Sequence, residues 1–183
     1  MRDGFRAAAV IVTFVVGLVS PDVTLAQKPG GSLMVQAAAE PPGLDLTASP
    51  ASAIAAVVHY NIQECLVKVD KTGTLVPWLA ERWYTTDNLN YTFFLKKGIR
   101  FHNGREFTAS DVKFVLERAL NPETKHPHRK HYEDIAAIHV RDPYTVTISL
   151  TQPNASFLLN LARQGSVIYP QEAVETMKSH AVG

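Results

Sequence analysis

Apolar positions along this chain switch between two periods, and the switches mark the elements. Val112, Val115, Leu116, Ala119 and Leu120 recur at helical spacing, which predicts an amphipathic helix. Thr108-Ala109-Ser110-Asp111 precedes it as a capping-box start, with the acid at the positive end of the helix dipole. Asn121-Pro122 stops it. Farther on, Tyr144, Val146, Ile148 and Leu150 alternate with threonine and serine, the pattern of a half-buried strand. Ile135 to Val140 predicts its partner, and Arg141-Asp142-Pro143 turns the chain between them.

Upstream, Leu33-Met34-Val35-Gln36 predicts a short strand, ended by Glu40-Pro41-Pro42-Gly43 because proline lacks the ladder N–H. Ile54, Val57, Val58 and Ile62 suit one face of a helix starting at Ala53 and running to about Glu64-Cys65-Leu66. Val67 to Asp70 predicts a strand and Asp70-Lys71-Thr72-Gly73 a turn. Leu75 to Trp83 is ambiguous between helix and loop. Tyr91 to Leu95 is rich in aromatic and branched residues and predicts a strand. Asn103-Gly104, set between Phe101 and Phe107, predicts a tight turn. A short helix around Phe157, Leu158 and Leu161, a strand at Val167 to Tyr169 and a helix from Gln171 to Lys178 complete the reading. Hairpins mixed with intervening helices predict α+β, or α/β with an inserted domain.

The N-terminus follows a different logic. Arg2 and Arg6 precede an apolar run from Ala7 to Val19, then Ser20-Pro21 and Thr24-Leu25-Ala26. That is a signal peptide over residues 1–26, cleaved near Ala26, and the run is shorter than the roughly 20 residues that span a bilayer. It predicts export to a periplasm with no stable membrane insertion. The 18 basic and 17 acidic residues nearly cancel, leaving a formal charge of +1. No basic excess for nucleic acid is present. Cys65 is the single cysteine, so it forms no internal disulfide and reads as a small buried hydrophobe; lying away from the cleavage site, it is no lipoprotein anchor.

Candidate chemistry is sparse. His126, His128 and His131 lie near Glu133 and Asp134, and imidazole suits nickel and zinc; a solvated loop rich in histidine and lysine explains the cluster equally well. His102 belongs to the tight turn. Trp78, Trp83, Tyr91, Phe93, Phe101 and Phe107 read as core packing rather than an aromatic cage. Gly-x-Ser-x-Gly, HExxH and phosphate-loop motifs are absent from the sequence, so no catalytic residue, metal or cofactor is assigned.

Five motifs in order carry a resemblance over nearly the whole mature chain: Glu40-Pro41-Pro42-Gly43-Leu44-Asp45; Asn61-Ile62-Gln63-Glu64-Cys65-Leu66 running to Asp70; Leu75-Val76-Pro77-Trp78-Leu79-Ala80-Glu81-Arg82-Trp83; Tyr91 through Gly104; and Phe107 to Val112 continuing to Arg118-Ala119-Leu120. The sequence resembles the N-terminal part of the peptide-, oligopeptide- and nickel-binding proteins of ABC importers, solute-binding protein family 5. Cys65 stands where that family usually has glycine, and the chain stops at Gly183, where the family normally continues, so it resembles a truncated product.

The resemblance implies an α/β, two-lobed, type II periplasmic-binding-protein fold with an inserted domain, of which only the N-terminal part is present. It implies a signal peptide at 1–26, the start of the first lobe at 27–50, an inserted α+β domain at 51–165 and a return toward the first lobe at 166–183. It further implies a receptor, not an enzyme, that closes over a peptide or related small solute and delivers it to ABC permease subunits. Ser49, Pro50 and Ala51 are the ligand-contact candidates, with His131 and Tyr132 as weaker ones. Lacking a second lobe, the chain alone is expected to bind ligand weakly or not at all. The rival reading is a secreted metal-binding protein or hydrolase using the His126–His131 loop.

Overall fold

The computed structural model describes residues 31, 32, 34, 36, 38–47 and 49–174. The segment expected to be a signal peptide lies outside the described residues, as do Leu33 and Val35; of the helix expected from Gln171 to Lys178, Gln171 to Val174 are described and helical, and the rest lies outside. The chain divides at Val35/Gln36 into two units. Of the first, Gly31, Ser32 and Met34 are described, all exposed and without regular structure. In the second, Gln36 is likewise exposed and irregular, so neither described residue of the expected strand at 33–36 is extended into a ladder.

The second unit is built on a four-stranded antiparallel sheet in the order β3-β4-β6-β5, formed by Ala80–Tyr84, Asn90–Leu95, Thr145–Leu150 and Ile135–Asp142 respectively. A two-stranded hairpin precedes it, β1 (Val67–Val69) with β2 (Leu75–Pro77). The turn joining β1 to β2 is closed by Asp70, whose carboxylate accepts from the Thr72 and Thr74 amides at 2.8 and 3.0 Å. Gly73 there has φ of 84°, a region open to glycine at little cost.

One sheet face is apolar by alternation. Tyr91, Phe93 and Leu95 of β4 and Val146, Ile148 and Leu150 of β6 point into a common core. Helix α2 (Ala109–Leu120) packs on β5 and β6 and buries Val112, Val115, Leu116 and Ala119, as its spacing predicts. Its capping box is present: the Asp111 carboxylate accepts from the Thr108 amide at 2.9 Å. Fully burying one such aliphatic side chain stabilises by about 1.5–3 kcal/mol, so this interlocking face dominates the fold. The opposite sheet face carries Arg82, with its guanidinium 3.5 Å from the Phe94 ring centroid, and the hydrogen-bonded pair Thr92–Thr147.

Three expectations are corrected. The ambiguous segment 75–83 is not helical: it forms β2 and the first part of β3, joined by a bend at Trp78-Leu79, because Leu75, Val76 and Pro77 find partners at Val69, Lys68 and Val67. Pro77 is tolerated at the strand's end, where its missing N–H costs no ladder bond. Helix α1 (Ser52–Val58) is shorter than its apolar pattern suggests. The chain turns at Tyr60, with φ of 65°, and the Asn61, Ile62 and Gln63 amides all donate to the Val58 carbonyl; Ile62 is left 47% exposed rather than continuing the buried face. Finally, Val167 to Tyr169 is buried but pairs in no ladder; the Ile168 amide donates to the Glu64 carbonyl at 2.8 Å, and the Tyr169 hydroxyl accepts from Arg118 at 2.9 Å.

Candidate functional site

Two concave regions stand out. The larger is an open groove of about 750 Å³ among residues 61–64, the turn at 99–103 and residues 168–173. Ile62, Ile99, Phe101 and Ile168 give it mainly apolar walls, and the Arg105–Glu172 ion pair of 2.8 Å lies beside it. The smaller region, about 410 Å³, has a different chemistry. His59, Tyr60, His128, His131, Arg163 and Gln164 converge on it.

Each wall of the smaller cavity has a local cause. His59 is the residue at which α1 ends, and the Tyr60 hydroxyl donates to the Ala162 carbonyl at 2.6 Å, drawing the end of α1 to the 161–166 segment. His128 and His131 flank a single 3₁₀ turn (Arg129–His131), and their rings stack with centroids 5.3 Å apart. Behind them His126 is buried, its Nδ1 accepting from the His128 amide at 3.2 Å. Gly165 completes the wall by having no side chain: a Cβ there would sit 2.8 Å from Cδ2 of His128.

The residues expected from sequence to touch ligand are brought partly together. Pro50 meets the histidine loop through Gln164, whose amide nitrogen lies 3.4 Å from the Pro50 carbonyl and 3.4 Å from Nε2 of His128. Ser49 supports the same strand of chain, its Oγ accepting from the Ala51 amide at 3.3 Å, and Ala51 leads into α1. His131 lines the cavity. Tyr132 is fully buried, and its hydroxyl is bonded to Ser166 at 2.7 Å, so its side chain stands behind the wall rather than in it. His59, Arg163 and Gln164 were not singled out in the sequence. None sits in a motif, and only the tertiary approach of residues 59–60 to 162–164 reveals them.

Electrostatically the cavity is basic. Burial, followed by a bond to the Ala162 backbone that opposes it, holds His59 below the ordinary histidine value. Burial, then repulsion from a protonated His131 and from the Arg163 guanidinium, does the same for His128, and burial with Arg163 for His131. The rings are therefore neutral at pH 7. The Gln164 side-chain nitrogen faces His128 Nε2 at 3.4 Å; an NH2 group only donates, so this contact is a hydrogen bond in the tautomer that carries its proton on Nδ1. Cys65 is buried nearby, its thiol donating to the Arg163 carbonyl at 3.4 Å, 3.6 Å from Nε2 of His59. Burial, then the neighbouring Glu64, pushes that thiol's pKa far up, which leaves it a poor nucleophile. Among the described residues no group of three or more His, Cys, Asp or Glu side chains is placed to hold a metal ion, and no helix is long and apolar enough to cross a membrane.

Comparison with known proteins adds an independent line. Residues 74–183 match the family model "Bacterial extracellular solute-binding proteins, family 5 Middle". The chain is similar to the glutathione-binding protein GsiB of Salmonella typhimurium strain LT2, 34% identical over 119 residues, covering 64% of this chain and 23% of that protein. It is also similar to di/tripeptide-binding protein 1 of Pseudomonas aeruginosa, 38% identical over 118 residues, covering 53% of this chain and 22% of the relative. Among solved structures, Haemophilus influenzae OppA in complex with the peptide RPPGFSPFR superimposes with a TM-score of 0.69 at 27% identity, over 75% of this chain and 30% of OppA. The chain thus spans less than a third of the length of these proteins.

Proposed function

Because the chain belongs to the bacterial extracellular solute-binding proteins of family 5, we propose that it supplies one wall of a cleft that captures a peptide or a related small solute for an ABC importer. Its mixed helix-and-sheet fold is that of part of a type II periplasmic binding protein. The observation that carries the reading is that Gln164, which lines the basic cavity with His128, also reaches the Pro50 carbonyl, on a fold shared with named peptide-binding proteins.

Within that reading, residues 1–26 export the chain to the periplasm, residues 27–50 begin the first lobe, 51–165 form the inserted domain and 166–183 return toward the first lobe. Ser49, Pro50 and Ala51 offer main-chain groups to cargo. Main-chain recognition supplies affinity while leaving side-chain pockets permissive, which suits a receptor for varied peptides. His131 contributes from the facing loop, and Tyr132 holds that loop in place. Closure of two lobes then buries the cargo and presents the closed form to the permease. No bond in the cargo is changed.

The test is solution mapping on the full chain. Adding Ala-Ala, tri-alanine or glutathione to isotope-labelled protein is expected to move the backbone resonances of residues 49–51, 128, 131 and 164, weakly and in fast exchange. Perturbations confined to other surfaces, or steady release of free alanine, would overturn the receptor reading in favour of a different binding face or a hydrolase.

A further inference from the structure

We propose that the cavity bounded by His59, His128, His131 and Arg163 is a subsite for a carboxylate group, held by imidazolium and guanidinium donors. This rests on the reading of the same wall as cargo-facing and names what it recognises.

Three imidazoles and a guanidinium line one space of about 410 Å³, and no carboxylate side chain is among the lining residues. The groups facing the histidines can be followed element by element. From the end of α1 come His59 and Tyr60; from the segment before β1 comes Cys65, beside His59, with Glu64 the neighbour that acts on Cys65. From the histidine loop comes His126, its ring centroid 6.1 Å from that of His128, with Tyr132 5.9 Å from His126. From the 161–166 segment comes Arg163, which makes no ion pair with any acid among the described residues. A cavity with converging donors and one uncompensated cation is complementary to an anion. It is poorly suited to a metal ion, which would sit beside that cation without a neutralising carboxylate, and no metal-holding group is present among the described residues.

Carboxylate entry changes the protonation of the wall. Burial and the like charge of Arg163 favour neutral His128 and His131. An anion within hydrogen-bond reach reverses the electrostatic sign and favours imidazolium. Binding therefore takes up a proton from solvent, and affinity rises as pH falls through the range between the empty-state and bound-state values. Gln164 couples this to the rest of the wall. Protonated His128 donates from both nitrogens, so the Gln164 NH2 can no longer face Nε2; the amide must rotate, and its bond to the Pro50 carbonyl is given up. Cargo carboxylate, proton and the 49–51 segment are thereby linked through one side chain.

The experiment follows histidine ring resonances of the full chain through a pH titration, with succinate, with sodium chloride at matched ionic strength, with neutral succinamide and with inorganic phosphate. Succinate is expected to raise the pKa of His128 and His131 by about one unit, while chloride and succinamide leave them unchanged. Succinate is expected to raise the pKa of His59 in the same sense, and the His128→Gln/His131→Gln variant, its fold checked by its backbone spectrum, is expected to lose that response. Equal pKa values in succinate and chloride would overturn the subsite, as would a response to phosphate and none to succinate. If Ala-Ala and its C-terminal amide move residues 49–51 and 128 equally and without a pKa change, the carboxylate inference fails while the cargo-facing wall stands. If neither peptide nor succinate perturbs the cavity, both fail together.

Discussion

His126 sits in an environment well removed from its ordinary state. Burial, then repulsion from a protonated His128 and from Arg118, hold its pKa at about 4 against an ordinary 6.5. Because the folded value is depressed, the unfolded chain binds more protons between those values, and stability rises with pH across that window. The contribution is complete above about 6.5 and is lost progressively as pH falls toward 4. Urea midpoints measured at pH 7 and pH 5 are expected to drop for the natural chain and to drop less for His126→Gln; parallel profiles would contradict this. Histidine at 126 was noticed in the sequence as a possible ligand, but the sequence carries no sign that the ring is buried among core side chains. Cys65 makes a similar point. The resembling motif has glycine at its position, yet its backbone is not among the described positive-φ positions, and its sulfur is enclosed. Nothing at this position needs glycine.

At the scale of elements, α2 shows how far local signals reach. Its cap, apolar stripe and stop are all local, and all are found where the spacing places them. The structure adds a long-range duty to the cap: Asp111 also accepts from Arg105 at 2.6 Å, tying the helix start to the turn at 101–105. Asp111 is buried, so Asp111→Ala removes the cap and leaves the Arg105 guanidinium without its nearest partner. The cost is expected to be about 1–3 kcal/mol by urea unfolding, with Asp111→Asn falling between. A loss below a few tenths of a kcal/mol would mean the cap is frayed in solution. Strands β2 and β3 are the converse case. Their residues are individually ambiguous, and Pro77 argues locally against a strand, but the pairing of Val76 with Lys68 and Trp83 with Phe93 settles them.

At the scale of the molecule, residues from Gln36 onward form one compact unit around one apolar cluster that runs from Leu46 to Val174. Both tryptophans, Trp78 and Trp83, pack against that cluster. Unfolding followed by tryptophan fluorescence and by far-ultraviolet circular dichroism is therefore expected to give coincident transitions; midpoints that separate would show that the hairpin of β1 and β2 melts apart from the sheet. The candidate site belongs to this scale too. The loop at 126–132, the 49–51 segment and the 162–166 segment are remote in sequence, and each has a bland local reading.

By itself the sequence determined the elements whose information is local: the capped helix, the alternating strands at 91–95 and 145–150, and the turns at Asp70–Gly73 and Asn103-Gly104. Ordered motifs also determined the family. Tertiary structure alone decided where α1 stops, because Tyr60 is held by a carbonyl 102 residues away. It alone decided that Gln164 reaches both the Pro50 carbonyl and His128, since contacts across 114 and 36 residues leave no periodic trace along the chain. Periodicity reports which face of an element is buried; it does not report which distant element buries it, and that choice is what assembles a cavity.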